Sequence, residues 1–540
     1  MNNEGTAPNA NRLLYAGFMA ILAAGVGFSV RGGILGQWAE QFGFTMSELG
    51  TITGGGLTGF GIVIILSSFI ADKIGYGKLL ISAFVLHLIS AILTLAAPAF
   101  FASGGKSAAY WCLYSAMFIF AVGNGVCEAV VNPLTATLFP KEKTKYLNIL
   151  HAGWPAGLVL GGLASAFMAS STNDAGEVTA KAVDWKIQMS LFLIPVLIYG
   201  MMLLKQKFPK SEATLAGVTP VQMLKYCLTP LMLVLLLLHA LVGYVELGTD
   251  SWIGKITGSI MASPQKGLML FVYTSMLMFA LRFVAGPIVH RLSPLGLLAV
   301  SGVLGAVGLT MLGNAEGVVM CVVAATVYAL GKTFLWPTML AVGSERFPRG
   351  GAIALGLMGG VGMISAGMLG GPAIGFKQDY YASQQLQETS PDAYGRYRSV
   401  DKDGKPQENS FVGFKTVGLD GAKVGVLEDG GAELKRAGEL LAKEGKTDEN
   451  HAGLAKWWTE ASKFTLTKED KEARKKDPAT PPAKDDDTVK GAGLFGGRMA
   501  LKLTAIVPAI MAGGYLLLML GFKARGGYKA LHVNGDDAKH

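Results

Sequence analysis

Two charged residues, Glu128 and Lys332, lie inside otherwise apolar segments and are the side chains best placed for chemistry. Each stands five residues before a proline, Pro133 in one segment and Pro337 in the other. Because a charge at the centre of a bilayer costs roughly 3 kcal/mol or more, such a residue is expected to face water, a solute or an opposite charge. An acid and a base in matched settings therefore indicate two repeated halves of the chain with a solute pathway between them.

Both charges are predicted near the middle of the membrane. Glu128 lies ten residues from one end of its segment, and Lys332 lies eleven residues from the end that Gly343 would mark. At about 1.5 Å of rise per residue, these offsets correspond to a depth of roughly 15 Å. Equivalent positions of two repeats face each other, so we expect Glu128 and Lys332 to share one cavity and to be energetically coupled.

The composition is that of a membrane protein with many spans. Hydrophobic residues make up 51% of the 540 residues, and the 72 glycines allow helices to approach closely in lipid. The net charge of +9 is spread over short segments without a basic patch of interleaved aromatic residues, which argues against nucleic-acid binding. The four cysteines have no paired spacing, and no phosphate-binding loop occurs. We therefore predict no disulfide, metal or other cofactor, no enzymatic activity and no ATP-driven pumping.

Twelve apolar runs are long enough to cross a membrane as helices of about 20 residues. They lie near residues 13–38, 48–71, 79–101, 109–138, 147–170, 187–204, 226–250, 266–289, 295–313, 317–343, 352–376 and 498–522. Lysines and arginines concentrate in the loops after the second, fourth, sixth and tenth runs. Because such loops stay on the cytoplasmic side, an even number of spans predicts that both termini are cytoplasmic, in a multi-pass protein of a bacterial inner membrane.

The predicted fold is an all-α membrane protein whose organisation follows from the order of the spans. Its parts are a six-helix half 1–204, a cytoplasmic linker 205–225, helices 7 to 11 in 226–376, an insertion 377–497, helix 12 in 498–522 and a cytoplasmic tail 523–540. The insertion contains 20 Lys and Arg and 22 Asp and Glu residues, so it is predicted to be soluble and extracytoplasmic.

The insertion is predicted to contain a small helical cap. Apolar residues of one helical face recur at Leu454, Trp457, Trp458, Ala461 and Phe464. The segment 433–446 is a plausible partner helix, and 468–490 is rich in charge and proline, which is typical of a linker.

Two short segments resemble the loop signature of the major facilitator superfamily. They are Asp72-Lys73-x-Gly75-Tyr76-Gly77-Lys78 after the second span and Arg282-x-x-x-Gly286-Pro287-x-x-His290-Arg291 after the eighth. The resemblance implies twelve helices in two pseudo-symmetric halves of six. It also implies a gating loop motif in each half, formed by Asp72, Lys73, Gly75, Arg282, Gly286 and Arg291.

The stretch 124–162 resembles the fucose:proton symporter family within that superfamily. The residues that carry the resemblance are Asn124, Gly125, Glu128, Asn132 and Pro133, then Leu147 and Asn148 ahead of His151, with Trp336-Pro337-Thr338 in the tenth span. In that family the acid that matches Glu128 takes part in proton coupling and sugar binding, and the resemblance implies the same role for Glu128. We add Asn132 and His151 to the candidate solute site.

Aromatic and acidic residues of other spans are further candidates. Trp154, Trp336 and Tyr244 offer flat apolar faces with polar edges, which suits stacking on a sugar ring. Glu246 and Asp250 are four residues apart at the outer end of the seventh span. This pair is expected either to guard the outer mouth or to lie in the headgroup region.

The sequence thus predicts a secondary active transporter that moves a small polar solute by alternating access. The resemblance makes the solute a monosaccharide and couples its movement to protons through Glu128. Because Arg31 occupies the stretch where the family has a second acid, one alternative is a sugar acid or other organic anion bound by Lys332 and Arg31. Another alternative is a membrane sensor that binds its ligand through the insertion. The expected partners are the solute, protons and membrane lipid, and the protein is expected to be monomeric.

Overall fold

The computed structural model of the protein describes most of the chain. The described residues are 8–531 apart from 45, 55, 170, 173–177, 181, 402, 444, 446, 468, 471, 472 and 474–483. Much of the predicted linker 468–490 and the end of the predicted tail lie outside the described residues.

The N-terminal half is built from long apolar helices. They are α1 (Ala10–Phe42), α2 (Met46–Gly54), α3 (Gly56–Ile74), α4 (Tyr76–Leu138), α5 (Lys143–His151), α6 (Gly153–Met168), α7 (Trp185–Ser190) and α8 (Leu193–Leu203). A short antiparallel pair, β1 (Ser171–Thr172) and β2 (Val178–Ala180), lies between α6 and α7. Two short helices, α9 (Glu212–Leu215) and α10 (Pro220–Cys227), form the linker to the second half.

The C-terminal half repeats this plan with more interrupted helices. They are α11 (Pro230–Gly243), α12 (Thr249–Ile260), α13 (Pro264–Arg282), α14 (Ala285–Leu292), α15 (Pro294–Gly313), α16 (Gly317–Lys332), α17 (Leu335–Arg346), α18 (Gly351–Ser365) and α19 (Gly371–Thr389). Single π-helical turns, Tyr244–Gly248 and Ala366–Gly370, join α11 to α12 and α18 to α19, and a 3₁₀ turn, Pro348–Gly350, precedes α18.

The count of separate spans depends on breaks inside the long helices. Ten helices of the described chain are long and apolar enough to cross a membrane, or eleven if α13 and α14, bent by 66°, form one span. The helix α4 covers 63 residues, which is more than two spans of about 20 residues. It is interrupted at Gly105, whose φ of 67° is not helical. This interruption lies between the predicted runs 79–101 and 109–138.

The helices on both sides of the insertion extend into the predicted range 377–497. The helix α19 continues to Thr389, beyond 376. The last two helices are α24 (Asp485–Thr504) and α25 (Ile506–Ala524), which together form one candidate span, and α24 begins well before 498. A Cβ at Gly496 would lie 2.3 Å from the Gln378 carbonyl oxygen, so α19 and α24 are in close contact. Hydropathy indicates only the apolar part of these two helices. The sequence therefore places their polar parts in the insertion.

The insertion folds into a small unit on this helix pair. It contains α20 (Pro391–Tyr397), the hairpin β3 (Asn409–Phe411) and β4 (Phe414–Thr416), α21 (Gly421–Asp429), α22 (Ala432–Lys443) and α23 (Glu449–Ala461), which a 3₁₀ turn, Ser462–Phe464, extends. The predicted amphipathic helix and its partner are thus confirmed as α23 and α22. Trp457 packs on a small core that includes Leu386, Tyr397 and Val489.

Candidate solute and proton site

A cavity lies between the two halves. It is lined by Ile21, Ala24, Phe60, Asn124, Cys127, Glu128, His151, Trp154, Glu246, Leu247, Arg282, Trp336 and Met363. The first eight of these residues belong to the N-terminal half and the other five to the C-terminal half. A movement of one half against the other therefore changes the shape of the cavity.

Glu128 is positioned by Asn132, one turn further along α4. The Asn132 amide Nδ2 donates to Glu128 Oε2 at 2.7 Å, and its Oδ1 lies 2.8 Å from His151 Nε2. Because that amide oxygen can only accept, Nε2 carries the proton of this hydrogen bond. In the described part of the chain Glu128 forms no salt bridge, and it lies in the cavity wall. It can therefore gain and lose a proton without breaking an ion pair.

Lys332 does not share this cavity with Glu128, contrary to the sequence-based expectation. Its ammonium group is fully buried and forms an ion pair with Asp250 of α12, inside the C-terminal half. It also lies 5.4 Å from the centre of the Tyr328 ring. Equal predicted depth did not ensure a shared cavity, because side chains on a helix rotate by about 100° per residue and Lys332 points to a neighbouring helix instead.

Arg31 is also buried away from the cavity. Its guanidinium lies 3.9 Å from the centre of the Phe120 ring and donates to Ser90 Oγ at 3.0 Å. It donates as well to the Gly27 carbonyl, one turn back in α1. These contacts hold α1 against α4 within one half. Neither of the two basic residues predicted for anion binding lines the solute cavity.

Arg282 is the cation of the cavity rather than part of a gating loop. It is the last residue of α13, where the chain bends by 66° into α14, and it is 1% exposed. It donates to Glu246 Oε1 at 3.0 Å and to the carbonyl oxygens of Thr333 and His151 at 2.9 and 2.5 Å. Glu246, placed from the sequence at the outer mouth or in the headgroups, is 3% exposed and lines the cavity.

The aromatic candidates divide into two groups. Trp154 and Trp336 line the cavity, one from each half. The Trp336 ring rests against His239, with ring centres 4.6 Å apart. Tyr244 is not among the lining residues, and its hydroxyl accepts a hydrogen bond from Lys377 Nζ at 3.0 Å. Of the three aromatic candidates, the two tryptophans can thus contact a solute.

The first loop motif lies where α3 meets α4 and touches the other half. Gly75 has a φ of 93°, which glycine adopts without strain, and lets the chain turn between the two helices. Tyr76 donates to Asp72 Oδ1 at 3.3 Å, whereas Asp72 Oδ2 lies beside Gly351 at the start of α18. Lys73 is exposed.

The second loop motif touches the first turn of α5. A Cβ at Gly286 would lie 3.2 Å from Lys145 Cδ, so α14 passes close to the N-terminal half. Arg291, at the end of α14, is exposed.

A layer of buried polar contacts closes the cavity toward the face that carries the basic loops. Between α5 and α17, Thr144 Oγ1 donates to Glu345 Oε1 at 2.8 Å and Asn148 Nδ2 donates to Thr338 Oγ1 at 3.3 Å. The Tyr528 hydroxyl of the C-terminal tail adds a hydrogen bond of 2.7 Å to Glu345 Oε2. All four side chains in the layer between the halves are buried.

Some residues of the cavity were missed in the sequence. Asn124 occurs in the matched stretch but was not assigned to the site, and its Oδ1 lies 3.0 Å from His87 Nε2. Glu246 and Arg282 satisfy the same criterion, a charge inside a span, that singled out Glu128. In the described ranges, no group of three or more His, Cys, Asp or Glu side chains could hold a metal ion.

Known proteins share this architecture. The fucose:proton symporter FucP of E. coli, in its outward conformation, superposes with a TM-score of 0.52 at 17% identity over 67% of this chain and 91% of its own. The proton:xylose symporter XylE of E. coli gives 0.56 at 15% identity over 70% and 90%. A bacterial homologue of the human lysosomal transporter Spinster gives 0.55 at 14% identity over 97% and 100%.

These identities establish a common fold and nothing finer. No curated protein sequence matches the chain. The family model of the Major Facilitator Superfamily matches residues 17–371, which is more than half of the chain and stops before the insertion. The fold, the two halves around one cavity and this match lead to the same conclusion: the chain belongs to the major facilitator superfamily of membrane transporters.

Proposed function

We propose that the protein moves a neutral monosaccharide by alternating access and couples this movement to protons through Glu128. The observation that carries the proposal is a carboxyl group without a salt bridge, in a cavity that has Trp154 on one side and Trp336 on the other. Indole faces stack on sugar rings, and amide and carboxyl groups bind hydroxyl groups.

The charges of the cavity favour a neutral solute over an anion. Lys332 and Arg31, the basic residues of the organic-anion alternative, have their own partners outside the cavity. Arg282 does line the cavity, but Glu246 compensates its charge. Glu128 then adds a carboxyl group, so an anionic solute would meet repulsion rather than a free cation. Two structural neighbours that are named as fucose and xylose symporters with protons support the same class of solute.

The closed layer between α5 and α17 supports entry of the solute from the opposite face. If the basic loops are cytoplasmic, as their lysines and arginines predict, the cavity is closed toward the cytoplasm in this conformation. Proton-driven uptake into a bacterial cell is then the simplest direction of transport. The proposal also includes that the protein is a monomer in the bacterial inner membrane and that both of its termini are cytoplasmic.

Counterflow in proteoliposomes tests the proposal directly. Vesicles that contain the purified protein are loaded with an unlabelled monosaccharide and should accumulate the same labelled sugar from outside. Trp336→Ala should abolish this exchange, whereas the matched control Trp111→Ala, at a side chain that is 60% exposed on the outside of the bundle, should not. Exchange of sugar acids alone would support the anion alternative. Ligand binding without any exchange would support the sensor alternative.

A further inference from the structure

Two prolines expose backbone carbonyl groups beside the cavity. A proline has no N–H, so the carbonyl four residues before it loses its helical hydrogen bond. The residues four positions before Pro155 and Pro337 are His151 and Thr333. The helix α5 ends at His151, and α16 ends at Lys332, immediately before Thr333. Each half of the protein therefore presents one unpaired carbonyl at a break in a span.

Arg282 binds both of these carbonyl groups. Its NH1 donates to the His151 oxygen at 2.5 Å and its Nε donates to the Thr333 oxygen at 2.9 Å. Its NH2 donates to Glu246 Oε1 at 3.0 Å. The bond to His151 crosses from the C-terminal to the N-terminal half, whereas the other two remain within the C-terminal half. The guanidinium group thus joins the halves inside the membrane, next to the solute.

We propose that Arg282 is a latch between the two halves and that protonation of Glu246 releases it. The proton binds the Glu246 carboxylate, which becomes a neutral acid, and the ion pair with Arg282 is lost. An unpaired guanidinium is costly to keep buried, so it is hydrated by water that enters between the halves and leaves the His151 carbonyl. The inference rests on the proposed function, which makes transport depend on a proton gradient. It adds Glu246 of the C-terminal half as a second proton-binding group beside Glu128.

The surroundings of Glu246 allow this step. The charges that act on it come from Arg282 on α13, Lys332 on α16 and Asp250 on its own span, and Glu128 faces the same cavity from α4. Lys332 and Asp250 compensate each other, which leaves Arg282 as the counter-ion of Glu246. Glu246 Oε2 is buried and forms no well-aligned hydrogen bond among the residues that the structure describes, although the backbone N–H of Trp336 acts on this carboxylate. A proton on Oε2 therefore displaces no well-formed hydrogen bond.

The latch can be tested without any solute by measuring the distance between the halves. Spin labels at Lys141→Cys and Lys523→Cys, both exposed and in different halves, report the separation at the basic-loop face. The native cysteines are buried. In the wild type, lowering the pH should increase the separated population about tenfold relative to the joined one. In Glu246→Gln, where glutamine imitates the protonated acid, the two halves should be separated at every pH.

Pro155→Ala provides an independent arm because it leaves every charge in place. The substitution restores a backbone N–H that competes with Arg282 for the His151 carbonyl, so the bond between the halves is weakened and the separated population should rise. The control is Pro98→Ala, a proline inside α4 whose freed carbonyl Arg282 does not bind. A wild-type pH response in Pro155→Ala would overturn the latch, even if Glu246→Gln does not fold. If the wild type and the variants respond to pH as expected but sugar counterflow fails, only the proposed solute is rejected and the latch stands.

Discussion

Buried charges in the spans of this protein differ in how their neighbours compensate them. Lys332 forms an ion pair with Asp250 and Arg282 forms one with Glu246, whereas Glu128 has the amide of Asn132. Removal of one member of a buried ion pair leaves an uncompensated charge. Neutralisation of Glu128 removes no such pair. The two kinds of site should therefore respond differently to substitution.

Glu128→Gln should separate exchange from uphill transport. Glutamine keeps the shape and can still bond Asn132, but it cannot carry a proton. We expect solute counterflow to remain within a few-fold of the wild type, while accumulation driven by a pH gradient falls by at least about tenfold. Uptake into proteoliposomes with and without a gradient measures both quantities. Glu316→Gln, at an exposed position before α16, is the control. Unchanged gradient-driven uptake would remove Glu128 from proton coupling.

Lys332 and Asp250 should behave as one structural unit. We expect Lys332→Gln and Asp250→Asn each to destabilise the protein by about 3–5 kcal/mol, because each leaves a buried charge unpaired. The double variant should recover most of this loss, as a double-mutant cycle on thermal unfolding in detergent would show. The combination of Lys332→Gln with Glu128→Gln should be additive. Strong coupling in that second cycle would restore the originally expected pairing of Glu128 and Lys332.

At the residue scale, the sequence identified the functional charged residues better than it identified their contact partners. Charges inside apolar runs are visible without a structure, and this criterion found Glu128 and Lys332. Which helix face each charge occupies depends on a few degrees of rotation and on where a span breaks. For that reason the sequence paired Lys332 with the wrong acid and assigned Arg282 to a loop.

The elements that build the site are interrupted helices. Breaks or π-helical turns occur in the fifth, seventh, eighth, tenth and eleventh spans, close to His151, Glu246, Arg282, Thr333 and Ala366. Such breaks release backbone polar groups and are tolerated in lipid where protein or a cavity can bind those groups. Pro155 and Pro337 indicate two of these breaks in the sequence. The π-helical turns carry no comparable signal, which is why the sequence did not place Glu246 in the cavity.

Glycine allows two of these interrupted spans to cross at very short distance. A Cβ at Gly243 would lie 1.9 Å from the Gly362 carbonyl oxygen. Gly243→Ala should therefore force α11 and α18 apart and lower stability by about 1–3 kcal/mol, measured as a lower unfolding temperature in detergent. Gly513→Ala, in α25 with nothing within 4 Å of the added Cβ, is the matched control. Equal stability of the two variants would contradict the close crossing.

At the scale of the whole molecule, the insertion links parts of the protein that must move. It is carried by α19 and α24 of the C-terminal half, and Arg436 NH1 of α22 donates to the Ala39 carbonyl at the end of α1 at 3.3 Å. Alternating access requires the halves to reorient, so this contact has to adapt in each cycle. The sequence predicted a soluble helical insertion, but contacts between residues almost 400 positions apart are beyond local patterns.

Replacement of the insertion should leave the transport step intact. The structure sets the limits of the replacement at 391–484, because α19 and α24 pack together on either side and should be kept. With a Gly/Ser linker in this place, we expect a folded protein that still exchanges its solute, since none of the cavity residues belongs to the insertion. The apparent affinity should change by a few-fold, because a cap alters access to the mouth and not the central contacts. Arg436→Ala, which removes only the side chain that reaches α1, should reproduce part of this change. Complete loss of solute binding in a well-folded replacement would place recognition in the insertion and favour the sensor over the transporter.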